Sequence, residues 1–438
     1  MTAATAPRRQ IFPGWSVVAV ASVAVFTQVA FFNPVLGVFM PALTKEFGWS
    51  RTEISGVMTV GSLAGALISP IFGPLVDRYG GRRFVAVGAL MMGVCLIALS
   101  RIHNVWEFYL FYGIGRMVSV GFFDLAAGVT VAKWFVRRRG LAVGLTTLGT
   151  RAGFAIMPIG VQLIIGGWGW REAWLVLAVT VLALGIAPPL RYLHPTPEAM
   201  GLQPDGDPPL PLTPDGEPRR FAMERNWTRQ EAMRTRAFWL VTVAVSLQAW
   251  AGGAINLHQI PHLVDRGLSP ESAALVVSLL AVFAGAGSIL EGLLDETIGA
   301  RWTLVIGLTG SAGGMVILMS VHSLAMAVAY AAGYGLAFGL MVTSSQVVFA
   351  DYFGRTALGA IRGSAAPIQM TLNAIGPLVA GAAFDITGSY MAAFVPFTLS
   401  YLVAAGALVI ARKPDIPPLP QVPALLAPDR EADAVVSA

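Results

Sequence analysis

The stretch GPLVDRYGGRR, Gly73–Arg83, lies between two long apolar runs and places one acid and three arginines within eleven positions. A weaker copy, GLLDETIGAR, occupies Gly292–Arg301. The two copies begin 292 − 73 = 219 residues apart, and Gly80 and Gly299 have the same separation, which is half of the 438-residue chain. The sequence therefore predicts two copies of one unit, each with a short charged turn between hydrophobic helices.

The composition predicts a membrane protein. Hydrophobic residues make up 55% of the chain and charged residues 12%, which is about half of the charged share in a soluble domain. The mean hydropathy is +0.68, and apolar runs of about 20 residues, the length that a bilayer requires of a helix, recur along the chain. The net charge is +5, but the basic residues cluster in short loops, which indicates topology rather than binding to nucleic acid.

The apolar runs predict an all-α integral membrane protein of about twelve transmembrane helices, in two pseudo-symmetric six-helix halves around a central cavity. The N-terminal half covers residues 1–193 and the C-terminal half residues 236–411. Residues 194–235 are predicted to be a cytoplasmic linker with a short amphipathic helix, and residues 412–438 a disordered cytoplasmic tail. The predicted helices cover residues 15–43, 54–75, 84–99, 106–132, 140–165, 173–193, 238–260, 271–294, 302–321, 324–349, 358–384 and 391–411.

Lysine and arginine predict the orientation of these helices. The N-terminus and the loops after the even-numbered helices hold most of them, such as Lys133 and Arg137–Arg139 after helix 4, whereas the opposite loops hold few. Because positively charged loops stay in the cytoplasm, both termini and the linker are predicted to be cytoplasmic, in a multi-pass protein of the cytoplasmic (inner) membrane.

The charged turn also has a recognisable spacing. The pattern G-x-x-x-D-R-x-G-x-R, carried by Gly73, Asp77, Arg78, Gly80 and Arg82, resembles the signature loop of the major facilitator superfamily. The resemblance implies that this loop joins helices 2 and 3 on the cytoplasmic side and acts as a conformational gate. Asp77 would accept hydrogen bonds from the N-terminus of helix 11 in the other half and so hold the outward-facing state.

Four further stretches resemble the bacterial monocarboxylate and oxalate/formate-type carriers of that superfamily. The resemblance implies a secondary transporter of a small organic anion, expected to be a monocarboxylate. It would work by alternating access, coupled to a proton or to a counter-substrate, as a monomer and without a cofactor. The stretches are FFNPVLGVFMPALTKEFGWSR (31–51), KWFVRRRGLAVGL (133–145), PEAMGLQPDG (197–206) and WTRQEAMRTRAFW (227–239).

The chain departs from this carrier group in two places. Ser288 stands where an arginine of helix 8 is expected to hold the substrate carboxylate. In the second charged turn, Glu296 and Thr297 replace the aspartate and arginine of the signature. The way in which the group binds its substrate therefore does not transfer directly to this chain.

Three charged residues fall inside predicted spans of the first half: Arg116 and Asp124 in helix 4, and Arg151 in helix 5. A charge at the bilayer centre costs at least about 2.5–3.5 kcal/mol, so each requires a partner or a function. Asp124 and Arg151 lie at similar depths, where they can form an ion pair that is structural or takes part in coupling. Arg151, with Arg116, can instead contact an anionic substrate, because a guanidinium suits a carboxylate. For Arg116 the alternative is a hydrogen bond to backbone carbonyls.

Uncharged polar residues of the spans are the other candidates for substrate binding. They are Gln28, Gln248, Asn256 and Asn373. Gln28 and Gln248 lie at nearly equivalent positions of the repeat, since 248 − 28 = 220. The alternative for each of the four is a hydrogen bond that holds two helices together.

A second function fits part of the sequence. A transporter of a neutral or aromatic compound, such as a vitamin or a drug, agrees with the missing arginine of helix 8 and with the pair Phe122–Phe123. An enzyme is not expected, because the sequence contains no nucleophile–base set, metal-ligand spacing or phosphate-binding glycine loop. The expected partners are a small-molecule substrate, a proton or counter-substrate and the lipid bilayer, without metal, cofactor or nucleic acid.

Overall fold

The computed structural model describes residues 12–79, 81–123, 130–131, 134–135, 139–194, 196–197, 200–203, 205, 227–354 and 358–414. Within these ranges, the side chains at positions 69–79, 121–122, 139–141, 143, 296, 346 and 358–360 are outside the description. The described residues form helices and turns, and no strand occurs among them.

The helices run back and forth along one bundle. We call α1–α7 the N-terminal half and α9–α14 the C-terminal half. The end of the bundle where α3, α10 and α14 begin is called the Arg51 end, and the end where α4 and α11 begin is called the Arg82 end. The helices are α1 (Gly14–Gln28), α2 (Asn33–Phe47), α3 (Arg51–Tyr79), α4 (Gly81–Leu99), α5 (Val105–Val118), α6 (Arg139–Gly167), α7 (Trp170–Tyr192), α8 (Arg229–Met233), α9 (Arg236–Asp265), α10 (Pro270–Ile298), α11 (Ala300–Met319), α12 (Leu324–Phe353), α13 (Leu358–Thr387) and α14 (Met391–Ile410).

Ten helical segments of the described residues are long and apolar enough to cross a membrane, with α1 and α2 counted together as one. The two remaining predicted spans correspond to α3 and to the helix that α5 begins, and both run up to residues outside the description. Leu67, Val179 and Ile386 are 78%, 67% and 85% exposed on the bundle surface. Large apolar side chains exposed on so many membrane-length helices indicate a lipid environment. The chain is an all-helical, multi-pass membrane protein.

The prediction of one continuous helix 1 was wrong. The first span is broken: α1 ends at Gln28, a 3₁₀ turn covers Val29–Phe31, and Phe32 is extended (ψ 160°) before α2 begins. Pro34 explains the break, because proline has no N–H to donate to the preceding turn and its ring collides with the carbonyl four residues earlier. The break leaves backbone carbonyls without a helical partner, and one of them, Phe31 O, is used by a buried arginine described below.

Helix 4 also departs from regular geometry. After α5 ends at Val118, the backbone widens into a π-helical turn over Ser119–Phe123. Such turns occur as single insertions within α-helices and are frequent at functional sites. The turn comes directly before Asp124, which lies outside the described residues.

Helix contacts place a cavity between the two halves. Within the N-terminal half α1 packs on α6, α4 on α7, and α3 on α5. Within the C-terminal half α12 packs on both α10 and α11, and α9 packs on α13 and α14. The main helix pairs that join the halves are α3 with α13, α6 with α10, and α2 with α9. The candidate site lies where the last two of these pairs meet.

Candidate functional site

A small cavity lies between the halves. Its volume, taken as the space open to the centre of a water-sized sphere, is about 20 Å³, which is enough for about one water molecule. Most of the lining is apolar, and its polar members are an arginine, an asparagine and a glutamine. The lining residues are Pro34 from α2, Arg151 and Phe154 from α6, Asn256 and Gln259 from α9, Val277, Leu280, Ala281 and Ala284 from α10, and Phe338 from α12.

Arg151 supplies the positive charge of this cavity. It lies 151 − 139 = 12 residues into α6, about 18 Å from the start of the helix at 1.5 Å per residue. Its Nη2 donates to Ser288 Oγ at 3.0 Å, and no acidic side chain of the described residues contacts it. A guanidinium has five N–H donors, so most of them remain available to a group in the cavity.

Ser288 occupies the place where an arginine of helix 8 was expected. The serine hydroxyl also donates to the carbonyl of Ala284, one turn earlier in α10. The cation of the site therefore comes from α6 in the N-terminal half, and α10 contributes a hydroxyl that orients it.

Gln259 is a cavity residue that the sequence analysis missed. Its side chain is 1% exposed, and its Oε1 accepts a hydrogen bond from the buried hydroxyl of Tyr330 at 2.8 Å. Its Nε2 is buried and has no hydrogen-bond partner among the described residues. The available signal was spacing: Gln259 follows Asn256 by three residues, which places both on one face of α9.

The predicted binding residues separate into two groups. Arg151 and Asn256 line the cavity, whereas Arg116 lies elsewhere. Arg116 is 5% exposed. Its guanidinium donates hydrogen bonds to Phe31 O at 2.9 Å and to Ser62 Oγ at 3.1 Å. The first of these bonds matches the backbone-carbonyl alternative, and its acceptor is the carbonyl released by the break in helix 1. A role of Arg116 in substrate binding stays a prediction.

The other amide candidates also lie away from the cavity. Gln28 and Gln248 are 1% and 6% exposed, in α1 and α9 respectively. Asn373 donates to the carbonyl of Ala249 at 2.9 Å, which joins α13 to α9 within the C-terminal half. Asn373 thus makes the helix-joining contact that was its alternative role, and substrate contacts for these three residues stay predictions.

At the Arg51 end, charged groups join the two halves. The Nη1 and Nη2 atoms of Arg51 lie 2.7 Å from the two carboxylate oxygens of Asp265 at the end of α9. Nη1 also donates to the hydroxyl of Tyr390 at 2.6 Å, and the guanidinium stacks 3.7 Å above the Phe384 ring centre. The pairing is bidentate, the strongest geometry that arginine and a carboxylate adopt.

Asp385 joins the halves at the same end by capping α3. Its carboxylate accepts hydrogen bonds from the backbone N–H groups of Arg51 at 3.1 Å and Thr52 at 2.8 Å, and from the Thr52 hydroxyl. These N–H groups have no acceptor within their own helix, and the helix dipole favours a negative charge there. We call Arg51, Asp265, Asp385 and Tyr390 together the inter-half latch.

The latch continues into the interior through His258. Burial raises the pKa of the Tyr390 phenol, so Tyr390 is a neutral hydroxyl. His258 is fully buried; its Nε2 lies 2.8 Å from the carbonyl of Pro377, and its Nδ1 lies 2.9 Å from the Tyr390 hydroxyl. Because a carbonyl can only accept, Nε2 carries the proton, and the neutral imidazole then accepts from Tyr390 at Nδ1. A continuous series of hydrogen bonds therefore runs from the Arg51 guanidinium through the Tyr390 hydroxyl and the His258 ring to the Pro377 carbonyl.

The sequence profile of the Major Facilitator Superfamily matches residues 18–265 and again residues 249–432. The chain belongs to the major facilitator superfamily. The two matches together cover both halves, in agreement with the internal repeat of 219 residues.

Relatives within the superfamily are transporters. The chain is 28% identical to monocarboxylate transporter 11 of Homo sapiens over 383 residues, which cover 82% of this chain and 75% of that protein. It is 25% identical to monocarboxylate transporter 13 of Rattus norvegicus over 410 residues, which cover 90% and 88% of the two proteins. The chain is therefore a multi-pass membrane transporter of the superfamily that resembles its monocarboxylate group.

A solved structure shows the same fold. A bacterial homolog to the human lysosomal transporter Spinster, in an inward-facing and occupied conformation, matches with a TM-score of 0.62 at 15% identity. The match covers 91% of this chain and 94% of the other chain. The predicted all-α fold of the superfamily is confirmed.

The superfamily loop and the predicted ion pair fall largely outside the described residues. Gly80 and Asp124 lie outside them, and so do the side chains at the positions of Gly73, Asp77 and Arg78, whose backbone continues α3. Arg82 is described, half-buried in the first turn of α4. The gating role of this loop and the Asp124–Arg151 pair stay predictions.

Proposed function

We propose that the protein is a secondary active transporter that moves a small organic anion, a monocarboxylate, across the cytoplasmic membrane by alternating access. The observation that carries the proposal is the environment of Arg151, which faces a cavity between the halves and contacts a neutral serine. A buried guanidinium is costly unless an anion compensates it. A substrate carboxylate supplies that anion with two oxygens that match the guanidinium fork.

The relatives support the substrate class. Two proteins that match most of the chain are named monocarboxylate transporters. The mostly aliphatic and aromatic lining also suits carboxylates with small apolar bodies, for which the cavity has to widen as the halves move apart.

The distribution of contacts between the halves supports alternating access. The described hydrogen bonds that join them lie at the Arg51 end and at the level of the cavity. From the positive-inside rule we propose that the Arg51 end faces the outside of the cell. We propose that units 1–193 and 236–411 rock as bodies, with residues 194–235 as cytoplasmic linker and 412–438 as cytoplasmic tail, in a functional monomer. The latch would open when the loop Gly73–Arg82 closes the opposite end.

The first experiment measures thermal stabilisation of the purified protein by a panel of carboxylates and neutral compounds, because a ligand stabilises the state that it binds. Small carboxylates are expected to raise the unfolding midpoint. Arg151→Gln should weaken their binding by about 10- to 100-fold, since a hydrogen bond to a charged group contributes about 1.5–3 kcal/mol. Arg151→Lys keeps the charge without the fork and should retain part of the binding. Stabilisation by neutral or aromatic compounds alone would replace the proposal with transport of a neutral compound.

A second experiment measures the coupling. Proteoliposomes with an inward proton gradient take up a labelled carboxylate against its gradient if transport is proton-coupled. If transport is an exchange, liposomes preloaded with unlabelled carboxylate take up the labelled carboxylate without a proton gradient. Asp124 is the proposed coupling partner of Arg151, so Asp124→Asn should reduce proton-driven uptake more than exchange.

A further inference from the structure

Gln259 has a hydrogen-bond donor that the described residues do not use. Its side chain is 1% exposed and lines the cavity with Arg151. Its Nε2 is buried and lacks an acceptor in the described part of the chain. A buried donor without an acceptor is unfavourable, and natural proteins rarely keep one unless something fills the need. Because Gln259 is part of the cavity lining, a group bound in the cavity can supply that acceptor.

Tyr330 determines which end of the Gln259 amide is left without a hydrogen-bond partner. Its hydroxyl is completely buried and donates to Gln259 Oε1 at 2.8 Å. A hydroxyl enclosed in this way needs an acceptor, and the amide oxygen is that acceptor. With the oxygen held by Tyr330, the NH₂ end of the amide is the end left for a ligand. Tyr330 is not part of the cavity lining and acts through Gln259.

We infer that Gln259 is a specificity-determining residue that donates to the substrate carboxylate beside Arg151, with Tyr330 as its positioning residue. The inference deepens the proposed function and rests on it. One carboxylate oxygen pairs with the Arg151 guanidinium and the carboxylate also accepts from Gln259 Nε2. The body of the substrate then packs on Leu280 and Ala284 of α10 and on Phe338 of α12.

This arrangement selects for a single carboxylate. Among the described residues, the cavity lining contains one cation, Arg151, and apart from Asn256 and Gln259 the rest of it is apolar. A second carboxylate on the same substrate would be buried against apolar walls without a compensating charge, which is costly. A small aliphatic or phenyl-bearing monocarboxylate fits these conditions, and a dicarboxylate does not.

The test uses the full-length protein and a series of unbranched carboxylates from acetate to hexanoate, together with succinate and the primary amide of each acid. Gln259→Leu is expected to weaken the binding of every carboxylate by about the same factor, roughly 10- to 100-fold. Because the change affects the head group, the gain in affinity for each added methylene should remain as in the unmodified protein. The amides, which lack the charge, should lose much less, and succinate should bind poorly throughout.

Tyr330→Phe removes the hydroxyl without entering the cavity and frees the amide to rotate. It should weaken carboxylate binding less than Gln259→Leu and leave the methylene increment unchanged. Tyr334→Phe is the matched control, because the Tyr334 hydroxyl lies one turn later in α12 and pairs with Tyr401 at 2.8 Å instead. Unchanged binding of all carboxylates in both Gln259→Leu and Tyr330→Phe overturns the inference.

The failure of this inference can be told from failure of the proposed function. If Arg151→Gln abolishes carboxylate binding while Gln259→Leu and Tyr330→Phe have no effect, the anion site stands and Gln259 is not part of it. If no carboxylate binds the unmodified protein, the proposed function fails and this inference fails with it. If the Gln259→Leu variant does not fold, the comparison of Tyr330→Phe with Tyr334→Phe decides. Equal carboxylate affinities of these two variants then overturn the inference.

Discussion

Arg51 holds the two halves together at one end of the bundle, and its removal should open that end. Arg51→Gln removes the bidentate bond to Asp265 and the stacking on Phe384. An exposed ion pair contributes up to about 1 kcal/mol and a hydrogen bond to a charged group about 1.5–3 kcal/mol. The side chains of Arg51 and Asp265 are 14% and 35% exposed, so solvent screens the pair in part. We therefore take about 2 kcal/mol as the contribution of this pair to keeping the end closed. That loss shifts the ratio of open to closed molecules at this end by about 30-fold.

The assay is a distance measurement between spin labels on the two halves. Labels on cysteines at Trp168 and Leu324, in a Cys95→Ser background, lie at the Arg51 end on opposite halves, and the two native side chains are 73% and 46% exposed. Arg51→Gln should add a population with longer distances. Arg266→Gln is the matched control, because Arg266 donates to the backbone at the end of α11 within the same half, so the distances should stay unchanged.

Equal distance distributions for Arg51→Gln and for the unmodified protein would refute this reasoning. The reversed pair, Arg51→Asp with Asp265→Arg, provides a second check. It should restore part of the short distance that either single change removes, because the opposite charges meet again in the same place. High salt should lengthen the distances only slightly, since a partly buried pair is screened less than an exposed one.

Gly381 and Gly149 lie where neighbouring helices approach too closely for a side chain. Gly381→Ala tests the same closure without a change of charge, because an added Cβ would lie 2.6 Å from Ser55 Oγ in the other half. The longer label distance should appear again. Gly363→Ala, on the same helix, should leave the distance unchanged, because no described atom lies within 4 Å of its added Cβ. At Gly149 an added Cβ would overlap the backbone of α1, so Gly149→Ala should destabilise the protein by about 1–3 kcal/mol or more and lower its midpoint of thermal unfolding. Gly144→Ala lies earlier in the same helix, and no described atom lies within 4 Å of its added Cβ. It should stabilise the protein by about 0.5–1 kcal/mol, and equal midpoints for the two variants would contradict the observed α1–α6 packing.

Helix order and most helix ends were predictable because their signals are local. Apolar runs of membrane length define the spans, and polar caps mark several starts, such as Ser269 before α10 and Ser323 before α12. The break before α2 was missed although Pro34 was visible. A proline inside a span often only bends the helix, and here a buried arginine from α5 takes up a carbonyl that the break released.

The site was predictable in part. Arg151 stands out because a charge in a span is costly, and the structure places it in the cavity with Asn256. Gln259 was overlooked beside Asn256, and nothing in the sequence connects it with Tyr330, which lies 330 − 259 = 71 residues later. From the sequence, Arg51 was only one of the few basic residues in the loops predicted to lie outside the cytoplasm, and no partner was predicted for it. Its partners Asp265 and Tyr390 are 214 and 339 residues away.

The sequence by itself determined that this chain crosses a membrane many times, repeats at half its length and carries charged residues, Arg151 among them, in membrane spans. Hydrophobicity, helix length and the cost of a buried charge act locally, so they can be read from neighbouring residues. The tertiary structure alone decided which polar side chains meet. That outcome depends on how each helix is rotated and packed against helices far away in the chain, and it places Arg151 with Ser288, Gln259 with Tyr330, and Arg51 with Asp265.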